Sequence, residues 1–236
     1  MRRLFVPTMG PSDWRRLLAD PIKQWRSEKS AYEAAVAWEA ARKSPRGLPP
    51  DIASVLDSEE EFRGASLVIG IPEHQVDLEG GGHASQTDLW ALLTAPIGMV
   101  STAIEAKAGE AFDSTVETWL STAKKGSGKP DRLKQLCSMW RVEQSAIEHC
   151  RYQLMHRPAA AVLEAKRFKA SVALFLVHAF GDNSASFDDY STWRRALGIS
   201  TADHRLQYAG EYEGVRLWMA WVASEPADQA TLRAAI

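Results

Sequence analysis

Gln86-Thr87-Asp88-Leu89-Trp90-Ala91-Leu92-Leu93-Thr94, then Ala95-Pro96-Ile97-Gly98, then Met99-Val100-Ser101-Thr102-Ala103-Ile104-Glu105-Ala106-Lys107 is the stretch from which the rest of the chain can be placed. Both arms are apolar and β-prone. Between them a proline stands second and a glycine fourth, the residue order of a type I turn, so the stretch predicts a β-hairpin. With Ala95–Gly98 as the loop, Thr94 faces Met99, and counting outward along both arms sets Asp88 directly across from Glu105. Directly opposed residues lie about 4.5–5.5 Å apart at Cβ, where like charges destabilise the pair. Two carboxylates so placed require a cation or a shared proton. Alternation puts Lys107 on the side of Glu105, with Gln86 opposite the lysine. Leu89, Ala91, Leu93, Val100, Thr102, Ile104 and Ala106 share the other side, which reads as a core face.

An aspartate on one strand and Glu-x-Lys at the end of the next resembles the PD-(D/E)xK signature of the restriction-endonuclease-like nuclease superfamily, with Thr87 where that signature has proline. The resemblance implies that Asp88, Glu105 and the backbone carbonyl of Ala106 hold Mg²⁺ or Mn²⁺, hard cations that prefer oxygen ligands. It also implies that Lys107 holds or activates the attacking water, with Gln86 steadying the lysine. Several branches of the superfamily place a Gln and a Tyr on a helix near the metal. Tyr152, Gln153 and His156, in helical Arg151–Arg157, are accordingly expected to bind substrate phosphate or order the lysine; the alternative is an ordinary polar helix face. A second Glu-x-Lys, Glu164-Ala165-Lys166, falls in helical sequence, where residues two apart do not face each other, and serves as the chance copy.

Composition sets the outer limits. The chain has 236 residues, 45% of them hydrophobic and nine of them tryptophan, enough for one substantial core and one decorated domain. Cys137 and Cys150 lack metal-ligand spacing and read as reduced thiols of a cytoplasmic protein. The N-terminal Met1–Pro7 carries positive charge but too short an apolar run for a signal peptide, and no segment reads as a membrane span. A net charge of −2 argues against coating nucleic acid by bulk electrostatics. Local basic surface would come from Lys124, Lys125, Lys129, Arg132 and Lys134, and from Arg151, Arg157, Lys166, Arg167 and Lys169, if these are more than solvated faces.

In chain order, short helical pieces precede an alanine-rich helix over Lys29–Lys43 and a second helix over Asp51–Glu60, introduced by Pro50. Ser66–Ile71 is a first strand closed by Pro72, and Gly80-Gly81-Gly82 reads as a flexible connection, since no P-loop Lys-Ser/Thr follows it. Glu73, His74 and His83 precede the Asp88 strand as lesser candidates, and Glu33 and Glu39 lie on the long helix. Ser114-x-x-Glu117 suggests a capping box, Pro130 opens a further helix, and Pro158 ends the Arg151–Arg157 helix before another over Ala159–Phe168. Ser171–Phe180 reads as a strand buried on both faces, with His178 a core histidine. A helix through Phe187–Leu197, a hairpin around Glu211–Gly214 and a polar tail close the chain.

The fold class expected is α+β: a central mixed sheet flanked by helices, with a restriction-endonuclease-like αβββαβ core over about residues 30–180. N-terminal helices over residues 1–29 and a C-terminal helix and hairpin over 181–236 are additions to it. The function this implies is hydrolysis of a phosphodiester in DNA, with the oligomeric state left open, a homodimer included. Two rivals stand beside it: a catalytically inactive fold of the same type used as a protein or nucleic-acid interaction module, and a metal-dependent hydrolase of another phosphoester.

Overall fold

The computed structural model describes residues 7–199 and 206–235; the charged residues 1–6, at the start of the N-terminal extension, lie outside that range. Six strands form one mixed sheet: β1 (Ser66–Val76), β2 (Ser85–Ala95), β3 (Gly98–Lys107), β4 (Val172–Phe180), β5 (Gln207–Tyr212) and β6 (Val215–Ser224), in the order β1-β2-β3-β4-β6-β5. The first three strands are an antiparallel meander; β4 runs parallel to β3 and to β6, and β5 returns antiparallel at the far edge. Ten α-helices, α1 to α10 in chain order, and a 3-10 turn at Glu60–Phe62 are formed among the described residues.

The hairpin forms in the expected register, with Thr94 paired to Met99 and Leu89 to Ile104. Its loop is tighter than the turn signal suggests, because Ala95 and Gly98 are themselves paired and Pro96 and Ile97 alone bridge the strands. The side chains assigned to the core face are buried there against α3 (Ser30–Ala41) and α4 (Pro50–Asp57), through Ala34, Ala35, Trp38, Ile52 and Leu56. The opposite face is not a polar surface. Trp90 and Ala103 are fully buried on it, and α8 (Tyr152–Phe168) packs across β2, β3 and β4. Trp90 Nε1 donates to Ser101 Oγ (2.9 Å), which donates to the Ala161 carbonyl (2.8 Å), so both of these buried side-chain groups are paired. Fully burying each large apolar side chain contributes about 1.5–3 kcal/mol, which explains why both faces of the hairpin are covered.

Two prolines behave differently from expectation, and tertiary packing is the reason in each case. Pro72 does not close β1; it pairs with Leu89 in mid-strand, which an edge strand tolerates because no outer neighbour requires the missing N–H. Pro158 does not end the Arg151–Arg157 helix but lies buried inside α8, which continues to Phe168 and closes on Lys169 in a left-handed conformation. The lost backbone hydrogen bond is outweighed by a helix face buried along its whole length. The capping box shifts by one residue: Thr115 is the N-cap of α5 (Val116–Ser121), its side chain accepting from Thr118 N. The C-terminal hairpin is no appendage, since β6 lies beside β4 within the sheet, and the polar tail folds into α10 (Gln229–Ala234) against α3.

Candidate active site

The carboxylates converge where β2 and β3 separate. Leu89–Ile104 is the last ladder pair, so Asp88 and Glu105 stand just beyond it and not as a regular cross-strand pair. Asp88 Oδ2 instead accepts a hydrogen bond from the Ala106 N–H at 2.6 Å. Ala106 turns its methyl into the α3-side core, which sends its neighbours Glu105 and Lys107 the other way.

Glu105 is the hub. Its Oε1 accepts from Lys107 Nζ (2.5 Å) and Gln153 Nε2 (2.6 Å), and its Oε2 accepts from Arg157 Nε (2.7 Å). Lys107 Nζ also lies 3.4 Å from Gln153 Oε1 and 4.6 Å from the centre of the Phe112 ring. Gln153 and Arg157 are four apart on α8 and share one face, so a single helix delivers both donors. Burial alone would raise the Glu105 pKa, but the charges of Lys107 and Arg157 outweigh it and hold the carboxyl below its usual range. Asp88 moves the other way, pushed up to about 7 by burial and by the neighbouring Glu105 charge, against the pull of Lys107 and Arg157.

A third acid completes the group. Glu73, buried on β1, is pushed up to about 8 by burial and by the Asp88 charge, and its Oε2 accepts from Gln86 Nε2 at 2.7 Å. Its φ of 52° lies in the left-handed region, which a non-glycine residue enters at a cost of about 1–3 kcal/mol. The β1–β2 register runs on unshifted from Pro72–Leu89 to His74–Thr87, which sets Glu73 across from Asp88 on the neighbouring strand. Both acids line a cavity of about 320 Å³ shared with Lys23, Lys29, Ser30 and Glu110.

The other candidates divide. Gln86 does not reach Lys107; it binds Glu73 and accepts from Gln75 Nε2 (2.9 Å), because β2 has turned toward β1 here, and Gln153 takes the place beside the lysine. Tyr152 and His156 face a neighbouring cavity, where His156 Nδ1 lies 2.8 Å from Ser85 Oγ. His74 is buried against Glu164, while Glu33 and Glu39 are structural acceptors, for Glu28 N and Ala227 N and for Thr8 and Trp14 respectively. Of the basic stretches, Arg157 and Arg132 are buried, and Arg151, Lys166 and Arg167 pair with Asp189, Glu213 and Glu164. Arg157 was legible only as part of a charged run; its spacing of four from Gln153 on a helix is the signal that would have singled it out.

Among the described residues, no three His, Cys, Asp or Glu side chains are gathered so as to hold a metal ion by themselves. No helix among those residues is long and apolar enough to cross a membrane. Residues 7–226 match a family model described as a domain of unknown function, DUF6946, and the chain belongs to that family. Neither a curated protein nor a solved structure matches the chain.

Proposed function

We propose that this DUF6946 protein is a metal-dependent phosphodiester hydrolase acting on DNA, built on a restriction-endonuclease-like core. The observation that carries the reading is the convergence of Asp88, Glu105 and Lys107 at the end of the β2–β3 hairpin, with Asp88 on the Ala106 N–H and Lys107 on Glu105. The element order supports it: a helix, a three-stranded meander, then α8 and a strand parallel to β3, which is the αβββαβ sequence of that core.

Mg²⁺ or Mn²⁺ fits the donor chemistry. Asp88 and Glu73 have carboxyls pushed up by burial and by the charge of a neighbouring acid, which a bound cation would offset, and every candidate ligand is oxygen. Asp88, Glu105 and the Ala106 carbonyl would hold the ion. Mg²⁺ is commonly bound through one or two carboxylates plus substrate phosphates, so the lack of a three-ligand cluster is compatible with this chemistry. When bound, such an ion supplies polarisation of a phosphoryl oxygen and a water of lowered pKa.

The chain's own residues would do the rest. Lys107 would stabilise charge developing on the phosphoryl oxygens, or hold the attacking water. Gln153 bonds Glu105 and sits at the lysine, and Arg157 keeps Glu105 ionised and oriented. Tyr152 and His156 would meet substrate one step away.

Incubation with plasmid, single-stranded DNA and RNA in Mg²⁺ or Mn²⁺ tests the reading. Cleavage by the intact protein is expected, with loss in EDTA and a fall of about 10²–10³-fold or more in Asp88→Asn and Lys107→Met, the size expected when one transition-state donor is removed. An inert intact protein, or variants as active as it is, would overturn the enzyme. One observation favours an interaction module instead: Glu105 already has both oxygens engaged by Lys107, Gln153 and Arg157. That rival predicts no metal binding.

A further inference from the structure

Beside the carboxylates lies a second cavity, of about 360 Å³, whose lining includes Arg132, Lys129, Tyr152, His156, Ser85 and Trp119. Arg132 is only 7% exposed. Its guanidinium donates to the carbonyls of His83 (2.6 Å) and Gly81, both in the glycine loop before β2, but it meets no carboxylate among the described residues, and its Nε has no hydrogen-bond partner. Burying a cation without a counter-charge is costly. Tyr152, 5% exposed, stacks its ring on Trp119 at 3.8 Å and turns its hydroxyl toward the Arg132 guanidinium, where it makes no well-formed hydrogen bond.

The rest of the lining has the same sign. Lys129, in the first turn of α6 (Lys129–Trp140), is held by the Trp119 carbonyl (2.8 Å) and by Thr122 Oγ1 (2.5 Å), and meets no carboxylate among the described residues. Asp113, the acid in the lining, is exposed at the rim. His156 is kept neutral by burial and by the charges of Arg157 and Arg132, and so offers a hydrogen bond without adding charge. Ser85 joins the two sites: its Oγ touches His156 in the cavity and accepts from Arg157 Nη1 at 3.3 Å, and Arg157 in turn holds Glu105.

We infer that this cavity is a phosphate-binding subsite, in which Arg132, Lys129 and the Tyr152 hydroxyl seat one phosphate group of a nucleic-acid strand beside the carboxylate cluster. The phosphate chemistry follows from the cavity itself; that the phosphate belongs to nucleic acid rests on the nuclease reading above. Trp119 and Tyr152 add an aromatic platform next to the anion, a surface on which nucleic-acid bases stack without regard to sequence.

The test is binding in EDTA, where cleavage cannot occur. A short single-stranded oligonucleotide, with and without a 5′-phosphate, is titrated into the intact protein by calorimetry over a range of salt concentrations, and inorganic phosphate is added as competitor. Arg132→Gln is expected to weaken oligonucleotide binding about tenfold or more and to lower the salt slope by about one. Tyr152→Phe, which removes a single oxygen and keeps the ring stack, is expected to weaken it about threefold or more, the size of a modest hydrogen bond. Lys43→Gln, the same charge change at an exposed position beyond the end of α3, should leave binding within about twofold.

A loss confined to the 5′-phosphorylated strand assigns a terminal phosphate, an equal loss for both strands an internal one, and competition by inorganic phosphate supports either. Unchanged affinity and salt slope in Tyr152→Phe and in a folded Arg132→Gln would overturn the subsite; should Arg132→Gln fail to fold, Tyr152→Phe decides alone. The two proposals fail separately. Cleavage that survives in Arg132→Gln with unchanged affinity removes the subsite and keeps the nuclease. Binding lost in that variant, from a protein that cleaves nothing in any metal, does the reverse.

Discussion

Glu105 and Asp88 are chemically alike acids that sit at the end of one hairpin and are driven in opposite directions by their neighbours. Glu105 has two cations and an amide within hydrogen-bonding distance, whereas Asp88 has one backbone N–H and a like charge. Removing a partner from Glu105 should therefore be severe. Arg157→Met leaves a buried carboxylate underpaired and is expected to cost about 3–5 kcal/mol in urea unfolding, the usual size for breaking a buried pair. A loss below about 1 kcal/mol would mean that Lys107 and Gln153 suffice.

For Asp88 the sign is reversed. Its carboxyl ionises near 7 in the fold against 3.8 in its unperturbed state, so over that window the folded state keeps a proton that the unfolded chain has released. Its ionisation therefore subtracts stability progressively as pH rises from about 4 toward about 7, and Glu73 extends the loss toward 8. In metal-free melts, Asp88→Asn should gain on the parent protein across that window; a constant difference would contradict the assignment.

At the scale of elements, the hairpin register was readable because the turn fixes it and alternation follows from the pleat. The prolines were not, since Pro72 depends on β1 being an edge and Pro158 on the sheet beneath α8, and neither is local information. Glu73 was readable only as a nearby acid, because its place opposite Asp88 follows from the β1–β2 register and glutamate carries no intrinsic preference for the left-handed backbone it adopts. The triple glycine is a connection, as expected, but a packed one. A Cβ on Gly80 would lie 2.5 Å from Arg132 N, at a φ of 86°, whereas one on Gly81 would meet no atom within 4 Å, at a φ of 69°. Gly81→Ala should accordingly cost about 1 kcal/mol from backbone strain alone. Gly80→Ala should cost clearly more and loosen the start of α6, which thermal unfolding and amide exchange over Lys129–Leu133 would report. Equal losses would show that the contact is not tight.

For the whole molecule, the sheet order explains why one site forms where it does. The meander brings Glu73, Asp88 and Glu105 from three adjacent strands to one end of the sheet, and the parallel β3–β4 connection returns α8 across the same end with Gln153 and Arg157. Sequence alone supplied the hairpin acids, the lysine and Gln153 on its helix, but not the Arg157 charge on Glu105, because that needs the crossing of α8 over β3. The proposed function requires Asp88 and Glu105 to grip a doubly charged ion, and Mn²⁺ titration by calorimetry or by its paramagnetic spectrum tests this most directly. The intact protein should bind Mn²⁺ with an affinity that rises between about pH 6 and 8, as Asp88 and Glu73 give up their protons, and Asp88→Asn should abolish or severely weaken that binding. An intact protein that binds no Mn²⁺ at pH 8, or an Asp88→Asn variant that binds it as well, would contradict the account.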